Sequence, residues 1–101
     1  MEIRIDKTVE KFIMSLEKNT IAKVLRTIDL LEIFNHCLGM PHTRKICPNI
    51  FELRVRGKQE IRLMYTFYAS EIVILHGFIK KSQKIPRKEL EFAMQKFQNL
   101  L

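Results

Sequence analysis

Three strand-like runs lie between Ile50 and Pro86 with only two short polar breaks between them, and this spacing constrains the chain more than any other feature. In the first run, Ile50 to Arg56, Phe51, Leu53 and Val55 share one face of an extended chain, and Glu52, Arg54 and Arg56 share the other. Gly57-Lys58 reads as a hairpin turn. The second run, Ile61 to Tyr68, sets Ile61, Leu63, Tyr65 and Phe67 against Arg62, Met64, Thr66 and Tyr68. Ala69-Ser70-Glu71 marks the next turn. The third run, Ile72 to Lys80, is nearly all apolar, as expected of a strand covered on both faces, and by parity His76, Phe78 and Lys80 share a side. Strands this close in sequence form a meander, so the expectation is a small, mainly antiparallel sheet.

The flanking segments have helical periodicity. Val9, Phe12, Ile13 and Leu16 fall at i, i+3, i+4 and i+7. A second helix follows the Lys18-Asn19 break, with Asn19 as expected N-cap and a stripe through Ile21, Val24, Leu25, Ile28, Leu31 and Leu38; Gly39 and Pro41 close it. Residues 40–49 read as a connecting loop with a turn at Pro48-Asn49. After Pro86, a residue suited to a helix's first turn, Leu90, Ala93, Met94, Phe97 and Leu101 form a last apolar stripe. Glu2–Ile5 alternates only once, a very short strand at most. The fold class is therefore α+β: a helical hairpin packed on a twisted sheet of three to four strands, with a C-terminal helix, in a single domain over residues 1–101.

The charge is segregated. Of the net +7, residues 1–43 contribute nothing, with six Lys/Arg against six Asp/Glu. Residues 44–88 carry eleven Lys/Arg and three Glu. Such a local excess attracts phosphate polymers or an acidic partner. Cys37 and Cys47 stand ten apart with no second pair, which fits neither a zinc site nor a disulfide scaffold. Free thiols, a charged N-terminus and the lack of a long apolar run point to a cytoplasmic protein without membrane association.

The chemistry-bearing residues lie on and around the sheet. Arg54 and Arg62 occupy adjacent strands away from the apolar partners; guanidiniums there match phosphate oxygens, unless Glu52 takes them as ion-pair partners. Lys80 and Lys81, with Lys84, follow the last strand; a lysine crowded by cations gives up its proton more readily and can serve as a base. His76 is either an acid/base group or a hydrogen-bonded core histidine. Tyr68, on the polar face, can stack on a base or place a hydroxyl at the scissile group, whereas Tyr65 alternates with core residues and reads as packing. His42, Arg44, Lys45 and Arg56 are candidate RNA contacts. No acidic cluster, Gly-rich phosphate loop or serine elbow points to a metal or other cofactor, and none is expected.

The segments FELRV (51–55), IRLMY (61–65) and ILHGFIKKSQKIPRKELEFA (74–93), with Pro41, His42 and Lys45, resemble the HigB/RelE-type toxins of bacterial toxin–antitoxin systems, in particular their phage-derived Gp49-like branch. The resemblance runs from about Lys7 to Phe97. It implies a RelE-like domain that cuts mRNA in the ribosomal A site by attack of the RNA's own 2′-hydroxyl, without metal. It also implies a cognate antitoxin, often a helix-turn-helix protein. Carried over by position, Arg62 is the arginine of the family's R-x-x-Y strand, Arg54 that of its ELRV strand, Lys80-Lys81 the basic pair after the last strand, and Lys45 the loop lysine. Two other readings compete: a ParE-like inhibitor of DNA gyrase that cleaves nothing, and an inactive remnant that only binds an antitoxin. Family members have a longer first strand than Glu2–Ile5 and usually Asp-Gly where Pro48-Asn49 stands here.

Overall fold

A computed structural model describes all 101 residues. Strand β1 (Glu2–Ile5) leads into α1 (Lys7–Met14) and α2 (Lys18–Phe34); a 3-10 turn (Asn35–Cys37) precedes β2 (Thr43–Cys47), β3 (Ile50–Val55), β4 (Ile61–Tyr68), β5 (Glu71–Ile79) and α3 (Arg87–Leu100). The five strands lie in the order β1-β5-β4-β3-β2. The meander is antiparallel throughout, and β1 joins β5 in parallel with Ile3 opposite Ile72.

The α+β class and the C-terminal helix stand as expected, but the sheet has five strands rather than three to four. Residues 43–47 are not loop: they pair with β3, and a bulge between Lys45 and Cys47 breaks the alternation that would have revealed them. The short Glu2–Ile5 does form a strand, because β5 offers it an open edge. Helix α2 begins after Glu17, not Asn19, and ends at Phe34; Asn35, at φ 51° and ψ −123°, leaves the helical conformation and stops it short of Gly39. Asn49 (φ 72°) and the pair Ala69-Ser70 (φ 52° and 63°) take positive φ in the two tight turns flanking β3 and β4.

Two cores result. On one face α1 and α2 cover Leu53, Val55, Ile61, Leu63, Tyr65, Ile72 and Ile74 with Val9, Ile13, Val24, Ile28 and Leu31. Tyr65 is packing, as its parity implies, and burial pushes its phenol up to about 12. On the opposite face α3 lays Ala93 over Met64, Val73, Leu75 and Phe78. This second cover is anchored by Lys96, which donates to the Asp6 carboxylate at the start of α1. Burial there opposes ionisation, yet the hydrogen bonds from Lys96 and Thr8 outweigh it and hold Asp6 below its ordinary value.

Gly77 marks where α1 meets the sheet. A Cβ there would stand 2.7 Å from Leu63 Cδ2 and 2.8 Å from Phe12 Cδ2. Gly77→Ala is therefore an overpacking change, expected to lower stability by about 1–3 kcal/mol, read from the shift in urea midpoint at constant slope.

Candidate functional site

Antiparallel pairing places Arg54 directly opposite Arg62. Both project to the α3 side of the sheet, beyond the part that α3 covers. Parity gave that orientation, but not the burial. The Arg62 side chain is only 3% exposed, and Glu52, two residues before Arg54, is 2% exposed. The Glu52 carboxylate lies between the guanidiniums, Oε1 at 3.3 Å from Arg54 Nε and Oε2 at 3.6 Å from Arg62 Nε. The anion that relieves their repulsion is thus part of the fold. Neither Nε makes a directed hydrogen bond, so the triad is held by charge more than by donor geometry.

Arg62 is further committed. Its Nη1 donates to the Ile61 carbonyl at 3.0 Å and its Nη2 to Glu60 Oε1 at 3.2 Å. Glu60 is 38% exposed, a movable carboxylate that closes the outer side of Arg62. The Lys80 amide donates to the Glu60 carbonyl at 2.7 Å, which fixes the end of β5 beside the β3–β4 turn.

A hollow of about 610 Å³ opens over this triad, lined by Arg54, Arg56, Glu60, Arg62, Lys80, Lys81, Ser82 and Gln83, with no apolar residue among them. Its five cations, set against Glu60 at the rim and Glu52 beneath, leave a surplus of three positive charges. Arg56, Lys80 and Lys81 have no carboxylate within ion-pair distance. A surplus of this kind attracts anions, and guanidinium and ammonium groups are donors that suit phosphate oxygens. Glu60, Ser82 and Gln83 were not singled out from the sequence; each sits in a turn or connection where no periodicity marks it.

The remaining candidates lie elsewhere. His76 accepts or donates at 2.8 Å to Glu89 of α3 and stacks near Phe92 and Phe78, which makes it a hydrogen-bonded residue under α3. Leu75 and His76 both face α3 because of a bulge opposite Met64–Tyr65. Tyr68 is at the far end of β4, opposite Glu71, and packs into the α3 core. His42 lines an adjoining hollow with Arg54 and Arg56. Arg44 and Lys45 are exposed on edge strand β2, around a recess with His36, Phe51, Tyr65 and Phe67. Lys84 is exposed in the β5–α3 connection but outside the hollow.

The model of the phage-derived Gp49-like protein family matches residues 11–98. The chain belongs to the Gp49-like family. This is a toxin-type family of the RelE/ParE-like group, and membership implies a phage-derived toxin of a toxin–antitoxin system with a cognate antitoxin as partner. No curated protein matches the chain. The matched span of this Gp49-like protein includes every residue of the five-cation hollow. No helix in it is long and apolar enough to cross a membrane.

Proposed function

We propose that this Gp49-like toxin is a ribosome-dependent mRNA endoribonuclease of the HigB/RelE kind, partnered by a helix-turn-helix antitoxin, and that it acts in the cytoplasm without metal. The observation that carries the reading is the convergence of Arg54, Arg56, Arg62, Lys80 and Lys81 on one hollow with no apolar lining. A scissile phosphate seated there has its equatorial oxygens toward Arg54 and, once the Glu60 carboxylate swings aside, toward Arg62. The RNA's 2′-hydroxyl attacks the adjacent phosphorus in line. Of the two lysines at the rim, one takes the 2′-proton and the other supplies a proton to the departing 5′-oxygen. The products are a 2′,3′-cyclic phosphate and a free 5′-hydroxyl. Acid–base help contributes roughly 10²–10⁴-fold and transition-state charge stabilisation about 10²–10³-fold per donor; the ribosome supplies alignment. The carboxylates nearest the hollow, Glu52 and Glu60, are both engaged by arginines, which supports a route in which guanidiniums, not a cation held by acidic residues, meet the phosphate. His76, Tyr68 and Lys45 do not line the hollow and have no part in this scheme.

Purified protein added to translating ribosomes tests the proposal. The expected result is mRNA cut within codons, unaffected by EDTA, with 2′,3′-cyclic phosphate ends. The same burial of Arg62 favours a second reading, a ParE-like gyrase inhibitor, since a guanidinium so enclosed also suits a purely structural role. Intact mRNA with inhibited gyrase supercoiling would decide for it, and harmless expression with neither effect would mark an inactive antitoxin-binding remnant.

A further inference from the structure

The five-cation hollow does not end at Arg54 and Arg56. Those two side chains also line a neighbouring hollow of about 310 Å³ between α2 and the end of β3, completed by Lys23, Arg26, Thr27, Leu30, Pro41, His42 and Val55. The two hollows are therefore one track with a shared arginine wall. Its second part differs in kind from the first: half-buried Leu30 gives it apolar surface over the core residue Val55, and cations surround it.

Of these cations Arg54 is held by Glu52. Lys23, Arg26 and Arg56, and Lys58 close by, all lack a carboxylate within ion-pair distance, although α2 also carries Asp29 and Glu32. Lys23 reaches across from α2 to the β3–β4 turn: a Cβ on Gly57 would lie 2.8 Å from its Nζ. The absent side chain at Gly57 leaves that ammonium its place between helix and turn, with Lys58 beyond it on a further shared recess. Apolar lining within a cationic rim is the surface that a ribose or base face and its flanking phosphates require.

We propose that this second hollow is a nucleotide subsite. It holds the RNA segment next to the one in the five-cation hollow, with phosphates on Lys23 and Arg26 and a base or ribose face over Leu30. The assignment rests on the reading that RNA occupies the first hollow. It adds that the toxin itself, and not the ribosome alone, grips the substrate beyond the scissile phosphate.

The test uses 2′-O-methyl RNA, which binds but cannot attack its own phosphate, as a decanucleotide followed by fluorescence anisotropy and a trinucleotide followed by NMR titration. The full chain is compared with K23Q/R26Q across a salt series. Both residues are exposed, so the variant keeps the parent's thermal midpoint. It should bind the decanucleotide roughly tenfold more weakly, and the slope of log affinity against log salt should fall by about 1.4, near 0.7 for each lost contact to a single strand. Trinucleotide binding should not change. K7Q/K11Q, which removes the same charge from exposed positions on α1, should leave the decanucleotide within about twofold of the parent. An unchanged decanucleotide affinity in K23Q/R26Q, equal losses for both lengths, an equal loss in K7Q/K11Q, or no decanucleotide binding by the parent chain would each overturn the subsite. Length-dependent binding without mRNA cleavage on ribosomes would overturn the nuclease reading and leave the subsite standing. Cleavage with no effect of K23Q/R26Q on binding would do the reverse.

Discussion

Glu52→Ala will lower folding stability by about 3–5 kcal/mol, the cost of leaving buried charges without their partner. The substitution removes one carboxylate but strands two guanidiniums: Arg62, 3% exposed, loses Glu52 at 3.6 Å, and Arg54, 13% exposed, loses it at 3.3 Å. Arg62 keeps Glu60, which is too open to solvent to replace a buried anion. Urea unfolding of the parent and variant measures the loss as a lowered midpoint at unchanged slope. A loss below about 1 kcal/mol would be the size of an exposed pair and would mean that water or phosphate, not Glu52, normally balances the arginines. A companion variant separates stability from function. With Glu52, Arg54 and Arg62 all replaced by apolar residues of similar size, stability returns to near the parent's or above it, while RNA binding in the hollow is lost. The charged triad is then shown to be kept for what it presents to the hollow.

That triad also marks where the sequence was legible and where it was not. Alternation in Ile50–Tyr68 sufficed to put Arg54 and Arg62 on adjacent strands and on the same side, because the strand period is two and the turn between the runs is short. It could not show how deeply either arginine lies, because burial there depends on Glu52 and Glu60 closing on the guanidiniums and on the segment from Lys80 to Gln83 folding back beside them from outside the meander. His76 illustrates the same gap. Its parity with Lys80 held in the sense that both leave β5 on the α3 side, yet α3 brings Glu89 to 2.8 Å and closes that position off. Tyr68 shares the face of Arg62 but stands at the opposite end of β4, a separation along the strand that parity does not report. Strand β2 went unread because a five-residue edge segment with a bulge and a following proline has too few alternating positions to register. Glu60 went unread for a different reason: it stands just before β4, outside the alternating run, although its two-residue spacing from Arg62 is that of one strand face and lets the guanidinium meet it.

The depth of Arg62 determines which substitution tests the chemistry. Arg62→Ala will reduce toxicity whether or not the guanidinium touches RNA, because it leaves the buried Glu52 carboxylate beside Arg54 alone. The lysine pair avoids this. Lys81 is exposed, Lys80 is half-buried, and neither is ion-paired. The contact that fixes the segment is the Lys80 backbone amide on the Glu60 carbonyl, which survives any side-chain change. K80M/K81M should therefore keep the parent's thermal midpoint while mRNA cleavage on ribosomes falls by about 10²–10⁴-fold, the usual contribution of positioned proton transfer. Growth arrest on induction should vanish in parallel. Single-turnover cleavage at the parent's rate would remove both lysines from the proton-transfer steps and leave the arginines as the only candidates for catalysis in the hollow. Growth arrest that persists while cleavage is lost would separate toxicity from RNA altogether, and a gyrase supercoiling assay on the same preparation would then show whether the hollow serves as a docking surface for protein in place of a seat for a phosphodiester.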